Sequence, residues 1–333
     1  MGIGVTATLV DAFWHQRILA GVLLVAAWLV LLGLVTAFTV RCVRSREAFL
    51  STVRHIDEVP MWGTVAMAML TVGSATSGVL PSLWPTLSDA AWRIDLVLWL
   101  LGTLIGLVST VTFTLRLLGR ACGRPVMVWG LAVVSPMVSS TSGALLVGHV
   151  PVGWRVRLLT ASAACFCTAL FMGWAVFTGA CHHAWRVEPL PLAVTCTAWI
   201  PVALVGQSVA AIQAIGGQLR AMLSPVFSAQ VPLVVNTFSW IVLACGVPLV
   251  VWVVVVTVRA FAGHMPFNPS WWALTFPMGS MALGHRLLAV GAHSPAVDVL
   301  GQVWTAALCL AVVVRAGATG VAVIQRPAWA HAE

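Results

Sequence analysis

The chain contains no lysine and no tyrosine, and only nine of its 333 residues are acidic. Charged residues make up 8% of it, against about 25% in soluble globular domains. Hydrophobic residues reach 60%, so the polar groups that would cover the surface of a soluble protein this size are missing. The absent lysine and tyrosine read as coding bias and carry no functional weight. The shortage of charge excludes an ordinary globular core and points to an integral membrane protein.

The few acids are also placed uninformatively for coupled transport. Asp11, Glu47, Asp57, Glu58, Asp89, Asp95, Glu188, Asp298 and Glu333 are expected in loops or at span ends. A proton- or cation-coupled transporter usually holds an ionisable group at mid-membrane, and a cation pore presents acidic rings. Neither pattern is expected here. The chemistry of enzymes is equally missing, because no nucleophile–base pair, phosphate-binding glycine loop or carboxylate dyad is recognisable. No cofactor and no metal is expected. Cys181-His182-His183 is a surface loop at a helix end rather than a ligand set, since a metal site needs a second cluster. His149, His285 and His293 are expected as surface groups on the outer side. The eight cysteines are scattered, several within apolar runs, as in membrane packing and not in a disulfide framework. No cleavable signal peptide is visible, because the first strongly apolar run is too long and lacks a small-residue cleavage site.

What is present is a series of charge-free runs. Residues 18–40, 125–148, 158–180 and 221–258 contain no Asp, Glu, Lys or Arg, and roughly 20 apolar residues cross a bilayer. The last run exceeds one span and requires a turn near Ser224-Pro225. Complete spans are expected at about 18–41, 60–80, 94–115, 125–148, 158–180, 190–213, 231–257, 268–288 and 297–314. Pro81, Pro85 and Gly216-Gly217 are expected in turns between them. A single transport domain of residues 1–315 would then be followed by a short cytoplasmic tail, 316–333.

The net charge of +8 comes from 17 arginines spread over loops, which suits a membrane surface with its anionic lipids and not nucleic acid. Arg41, Arg44, Arg46, Arg54, Arg116, Arg120, Arg124, Arg186, Arg259, Arg315 and Arg326 fall on one side. Arg17, Arg93, Arg155, Arg157, Arg220 and Arg286 fall on the other. The excess places the first set, and the C-terminus, in the cytoplasm of a cell-membrane protein.

Alternate spans carry a helix breaker: Gly63, Pro136, Pro201 and Pro277, with Met1-Gly-Ile-Gly4 as a further member. Counted from Gly2, the separations are 61, 73, 65 and 76 residues, the length of a helical hairpin. This predicts five repeated hairpins about an axis normal to the membrane. A mid-helix proline frees carbonyls that only protein or water can satisfy. The broken helices are therefore expected inside, around a cavity, and the plain Leu/Val-rich ones outside. Small and polar residues collect on the same broken spans, among them Thr64, Ser139, Thr141, Ser142, Gly206, Gln207 and Gly279. They pack helices or line a hydrated path. An uncharged lumen with arginine at both mouths favours small anions.

The run Phe267-Asn-Pro-Ser-Trp-Trp-Ala-Leu-Thr-Phe-Pro-Met-Gly279 is similar to the ninth-helix motif of the tellurite-resistance/dicarboxylate transporter family. That family includes slow anion channels, malate permeases and sulfite efflux pumps. Gly63-Thr-Val-Ala-Met67, Ser135-Pro-Met137 with Ser142-Gly143, and Trp199-Ile-Pro201 with Gly206-Gln207 support the resemblance, which spans nearly the whole chain. It implies an all-α membrane protein: a ten-helix bundle of five hairpins around a quasi-five-fold central pore, commonly a homotrimer. It also implies a pore gate at Phe276, with Gly63, Thr64, Met67, Pro136, Ser139, Pro201, Gly206, Gln207, Pro277 and Gly279 as pore-lining or kink positions. Two features depart from the family. Met1-Gly-Ile-Gly4 opens the chain where relatives have apolar residues before the motif, so the first helix is expected shortened. The seventh helix reads Val-Ala-Leu-Val-Gly-Gln where relatives often have Gly-Pro-Leu-Gly-Gln. The leading expectation is passive transport of small anions such as malate, sulfite or inorganic anions. A coupled C4-dicarboxylate or sulfite exporter, and a non-transporting membrane scaffold, are the alternatives.

Overall fold

A computed structural model describes residues 1–54, 58–119 and 124–325. Asp57, Arg120, Arg326 and Glu333, used above in the charge pattern, lie outside the described residues. In chain order the helices are α1 (Gly2–Trp14), α2 (Arg17–Arg44), α3 (Arg46–Arg54), α4 (Met61–Leu83), α5 (Ser88–Gly119) and α6 (Gly130–Leu146). They continue with α7 (Val152–Arg186), α8 (Ile200–Met222), α9 (Pro225–Ser228), α10 (Val231–Ala262), α11 (Thr275–Ala292) and α12 (Pro295–Gln325). No strand occurs among the described residues.

Five hairpins pair α1 with α2, α4 with α5, α6 with α7, α8 with α10, and α11 with α12. Their first members form a closed ring, in which α1, α4, α6, α8 and α11 each touch the next and α11 returns to α1. Composition explains the division into two layers. In the inner spans 127–149 and 192–222, 89% and 72% of the most apolar stretch is buried; in the spans containing α2, α10 and α12 it is 22%. The outer helices are rich in Leu and Val because their exposed faces meet lipid, where apolar side chains carry no penalty. The inner helices exchange those side chains for Gly, Ala and Ser, which let backbones approach. Gly63 is one such position, where a Cβ would overlap the Leu131 carbonyl on α6. Gly206 is another, set against the backbone of Ser280 on α11.

Several boundaries differ from the sequence reading. Among the described residues eight helices are long and apolar enough to cross a membrane, not nine. The motif-bearing ninth span, α11 with 18 residues after the 3-10 segment Pro269–Leu274, is absent from that set because its Thr, Ser and Gly residues with His285 and Arg286 lower its hydropathy. The first helix, α1, has 13 residues. Pro81 lies inside the last turns of α4, and Gly216-Gly217 lie inside α8. The turn near Ser224-Pro225 is present as the break between α8 and α10, holding the single turn α9. Helix α12 runs on to Gln325, so residues 316–325 continue it.

The breakers act in two ways. Pro136 is interior to α6 and removes a helical hydrogen bond. Pro201 and Pro277 instead stand in the first turns of α8 and α11, where the missing N–H has little to satisfy. At these junctions, and at the start of α6, the chain changes from 3-10 to α: Met127–Trp129 precedes α6, Leu192–Trp199 precedes α8, and Pro269–Leu274 precedes α11.

Candidate functional site

The inner ring encloses two cavities in line. The first, about 310 Å³, lies among the N-terminal turns of the inner helices; the second, about 300 Å³, lies toward their C-terminal ends. Their lining residues are spaced by roughly one helical turn. Met1 lines the first and Val5 the second on α1; Met67 and Leu70 do so on α4, Val134 and Val138 on α6, and Ala203 and Gln207 on α8. A septum about one turn thick, some 5.4 Å of helix, therefore separates them. Phe276 and Pro277 line the first cavity on α11, and Leu283 lines the second. The Phe276 side chain is 5% exposed.

The motif around Phe276 holds the start of α11 in place. Asn268 accepts from the Ser270 N–H at 2.8 Å and donates through Nδ2 to the Ala193 carbonyl at 2.7 Å. The Ser270 hydroxyl donates to the same carbonyl at 2.9 Å. The 3-10 segments leading into α8 and α11 are thus tied together. On the other side, buried Arg315 donates from Nε to the Trp271 carbonyl at 2.7 Å, and Trp272 Nε1 donates to Thr319 at 3.1 Å. Arg315, expected in a loop, lies inside α12 and braces this segment.

The expected site residues divide into three groups. Thr64, Met67, Phe276 and Pro277 line the first cavity, and Gln207 lines the second. The Thr64 hydroxyl is buried without a hydrogen-bond partner among the described residues. Gly63, Gly206 and Gly279 are helix-contact positions, the last against Val5. Pro136, Ser139 and Pro201 are buried but line neither cavity. The Ser139 hydroxyl turns back to the Ser135 carbonyl at 3.3 Å, while its own carbonyl accepts from Trp99 Nε1 at 2.8 Å.

Gln207 is satisfied across three helices, as a buried amide requires. The Thr141 hydroxyl donates to its Oε1 at 2.9 Å, and its Nε2 donates to Ser280 Oγ at 3.3 Å. Ser280 in turn donates to the Phe276 carbonyl at 2.9 Å. A polar belt thus runs from α6 through α8 to the backbone of Phe276.

Two further expectations are overturned. Asp95, assigned to a span end, lies two turns inside α5, is 2% exposed and lines the second cavity. The helix starts at Ser88, earlier than hydropathy suggested, and the carboxyl is covered by α4, whose Ser77 donates to it at 2.6 Å. His285, expected at the surface, is 6% exposed and its Nδ1 is 2.7 Å from the Met281 carbonyl. His149 is exposed, with its ring stacked on Trp92. Among the described residues no group of three His, Cys, Asp or Glu is placed to hold a metal ion.

Comparison with known proteins places this architecture. No curated protein matches the chain. A family model described as voltage-dependent anion channel, SLAC1, matches residues 1–319, which agrees with the resemblance carried by the ninth-helix motif. Members of that family are channels and transporters that carry anions across membranes. With eight apolar helices of spanning length among the described residues and a match over nearly its whole length, the chain belongs to the voltage-dependent anion channel family.

Proposed function

We propose that the ring of α1, α4, α6, α8 and α11 is a passive pathway for small anions, closed at Phe276. The observation that carries this reading is the pair of collinear cavities separated by about one helical turn, with the Phe276 ring among the residues of the first cavity nearest the septum. An aromatic ring in so narrow a lumen excludes a hydrated ion, and a rotamer change would join the cavities. The lining suits transit rather than capture. It is mostly apolar, with Thr64, Thr197 and Ser270 as the hydroxyl-bearing residues of the first cavity, and conduction requires weak binding. The N-terminal turns of α6, α8 and α11 converge on that cavity.

The first cavity opens on the side that bears Arg44, Arg54, Arg116, Arg124, Arg186 and Arg259, which we take as the cytoplasmic face of the cell membrane. Inorganic anions, sulfite and small carboxylates all suit a lumen of this size. The test is anion flux into proteoliposomes from the purified chain and its Phe276→Ala variant across that substrate panel. Flux that rises in the variant supports the gate, and equal flux rejects it. Accumulation of the anion against its electrochemical gradient would instead favour a coupled exporter.

A further inference from the structure

We propose that Asp95 is a proton-binding site on the anion pathway, and that anions pass the second cavity only when this carboxyl is protonated. The inference rests on the anion reading above and adds a condition for transport at a residue outside the gate. Asp95 is the acidic residue that lines either cavity among the described residues. Its Oδ2 accepts from Ser77, while Oδ1 is buried against Gly73 without a hydrogen-bond partner. No cation pairs with it among the described residues. As a carboxylate it would hold a full negative charge in the wall of a passage for negative ions, with one donor to stabilise it. Burial of a charge so poorly compensated is costly, and a passing anion adds repulsion.

The hydroxyl of Ser77 is built to serve the protonated form. Its oxygen is 2.6 Å from Asp95 Oδ2 and 3.2 Å from the Ser74 carbonyl, two acceptors for one hydroxyl proton. When Asp95 is ionised, the Ser77 proton points to the carboxylate. When Asp95 is protonated, its O–H donates to Ser77 Oγ, and Ser77 turns its own proton to Ser74. Every proton in that second arrangement has an acceptor, and the cavity wall is neutral.

The surrounding charges leave this assignment clear. From α1, α4, α6 and α8 the second cavity receives neutral polar groups: Thr8, Ser74, Ser77, Thr141, Ser142 and Gln207; from α11 it receives Leu283. His149, at the end of the span containing α6, is the other titratable group in the lining. Arg155 of α7 donates to the Val150 and Gly148 carbonyls beside it. Arg286 is engaged with Asp298 at 2.7 Å. Asp11, Asp89 and Arg93 lie toward the same end of the helices without lining the cavity.

The test uses the full chain in proteoliposomes, with chloride and nitrate as probes and equal pH on both sides. Phe276→Ala serves as the parent, so that the gate does not mask the second cavity. Flux in the parent should rise as pH falls from about 8 to about 5, by no more than about tenfold per unit, the limit for one titrating group. Asp95→Asn, neutral at every pH, should conduct at the acid level throughout, and His149→Gln should retain the parent's response. A flat pH profile in the parent overturns the proposal, as does a response that survives in Asp95→Asn or vanishes in His149→Gln. If the parent carries no anion at all, the pathway reading fails, and infrared difference spectra decide the proton site separately. An acid-minus-neutral spectrum should contain a carboxylic C=O band that is lost in Asp95→Asn; its absence overturns the assignment.

Discussion

Thr141 on α6 donates its hydroxyl to Gln207 on α8 at 2.9 Å, and the same amide reaches Ser280 on α11 at 3.3 Å. One side chain therefore joins three of the five inner helices, at the edge of the second cavity. The bond to Ser280 also connects it to the Phe276 carbonyl through the Ser280 hydroxyl.

Gln207→Ala removes both bonds and should destabilise the fold by about 1–3 kcal/mol, the usual cost of a buried polar group left without its partner. Thr141 retains its contact with the Met137 carbonyl at 3.2 Å, so the loss should stay toward the lower end. Thermal unfolding of the purified variant in detergent measures it. An unchanged midpoint would show that the belt contributes no net stability.

A size series at Phe276 reads the gate. Phe276→Ala should raise anion flux by about tenfold or more, equivalent to removing about 1.4 kcal/mol of barrier. Phe276→Leu should fall between the two. Flux that does not follow side-chain volume would place the barrier elsewhere in the septum, at Met67 or Val134.

Two glycines of α8 should respond differently. Gly206→Ala pushes a methyl group into the Ser280 backbone and should cost about 1–3 kcal/mol by overpacking. A Cβ at Gly217 meets nothing within 4 Å, so Gly217→Ala should be neutral or should stabilise the helix by up to about 1 kcal/mol. Paired melting curves of the two variants in detergent decide this, and similar shifts would reject the close packing of α8 on α11.

Arg315 should behave as a structural brace. Arg315→Ala removes the bond to the Trp271 carbonyl and leaves Trp272–Thr319 as the hydrogen bond that holds the turn before Phe276 to α12. A loss of about 1–3 kcal/mol is expected. Lysine should recover only part of it, because an ammonium cannot reproduce the planar fork that bonds both Trp271 and Ala311. Stability and anion flux measured together separate a brace from a pore charge. A brace lowers stability in both variants, whereas a pore charge would leave flux intact in lysine and stability intact in both.

Much of the framework was legible in the chain itself. The alternation of Gly63, Pro136, Pro201 and Pro277 marked the inner helices because small or broken segments cannot usefully face lipid. The run from Phe267 to Gly279 marked the family. The exact use of the breakers was less legible: Pro201 and Pro277 stand at 3-10-to-α junctions, and their hydropathy is the same on either side of such a junction. Arg315 resembled a loop residue because charge usually ends a span, yet here the Trp271 carbonyl from another segment and the Ala311 carbonyl of its own helix offset its burial.

The sequence by itself determined that this protein consists of membrane-crossing hairpins, which of their members turn inward, and the anion-channel family to which it belongs. These follow from the local composition of each span, since lipid and protein surroundings select different side chains along a single helix. Only the tertiary structure decided where the chemistry lies. The placement of Asp95 behind Ser77 depends on the starting point of α5 and its rotation against α4, and the belt through Gln207 depends on three helices meeting at one level. Such relations are fixed by packing between segments tens of residues apart, and no local pattern carries them.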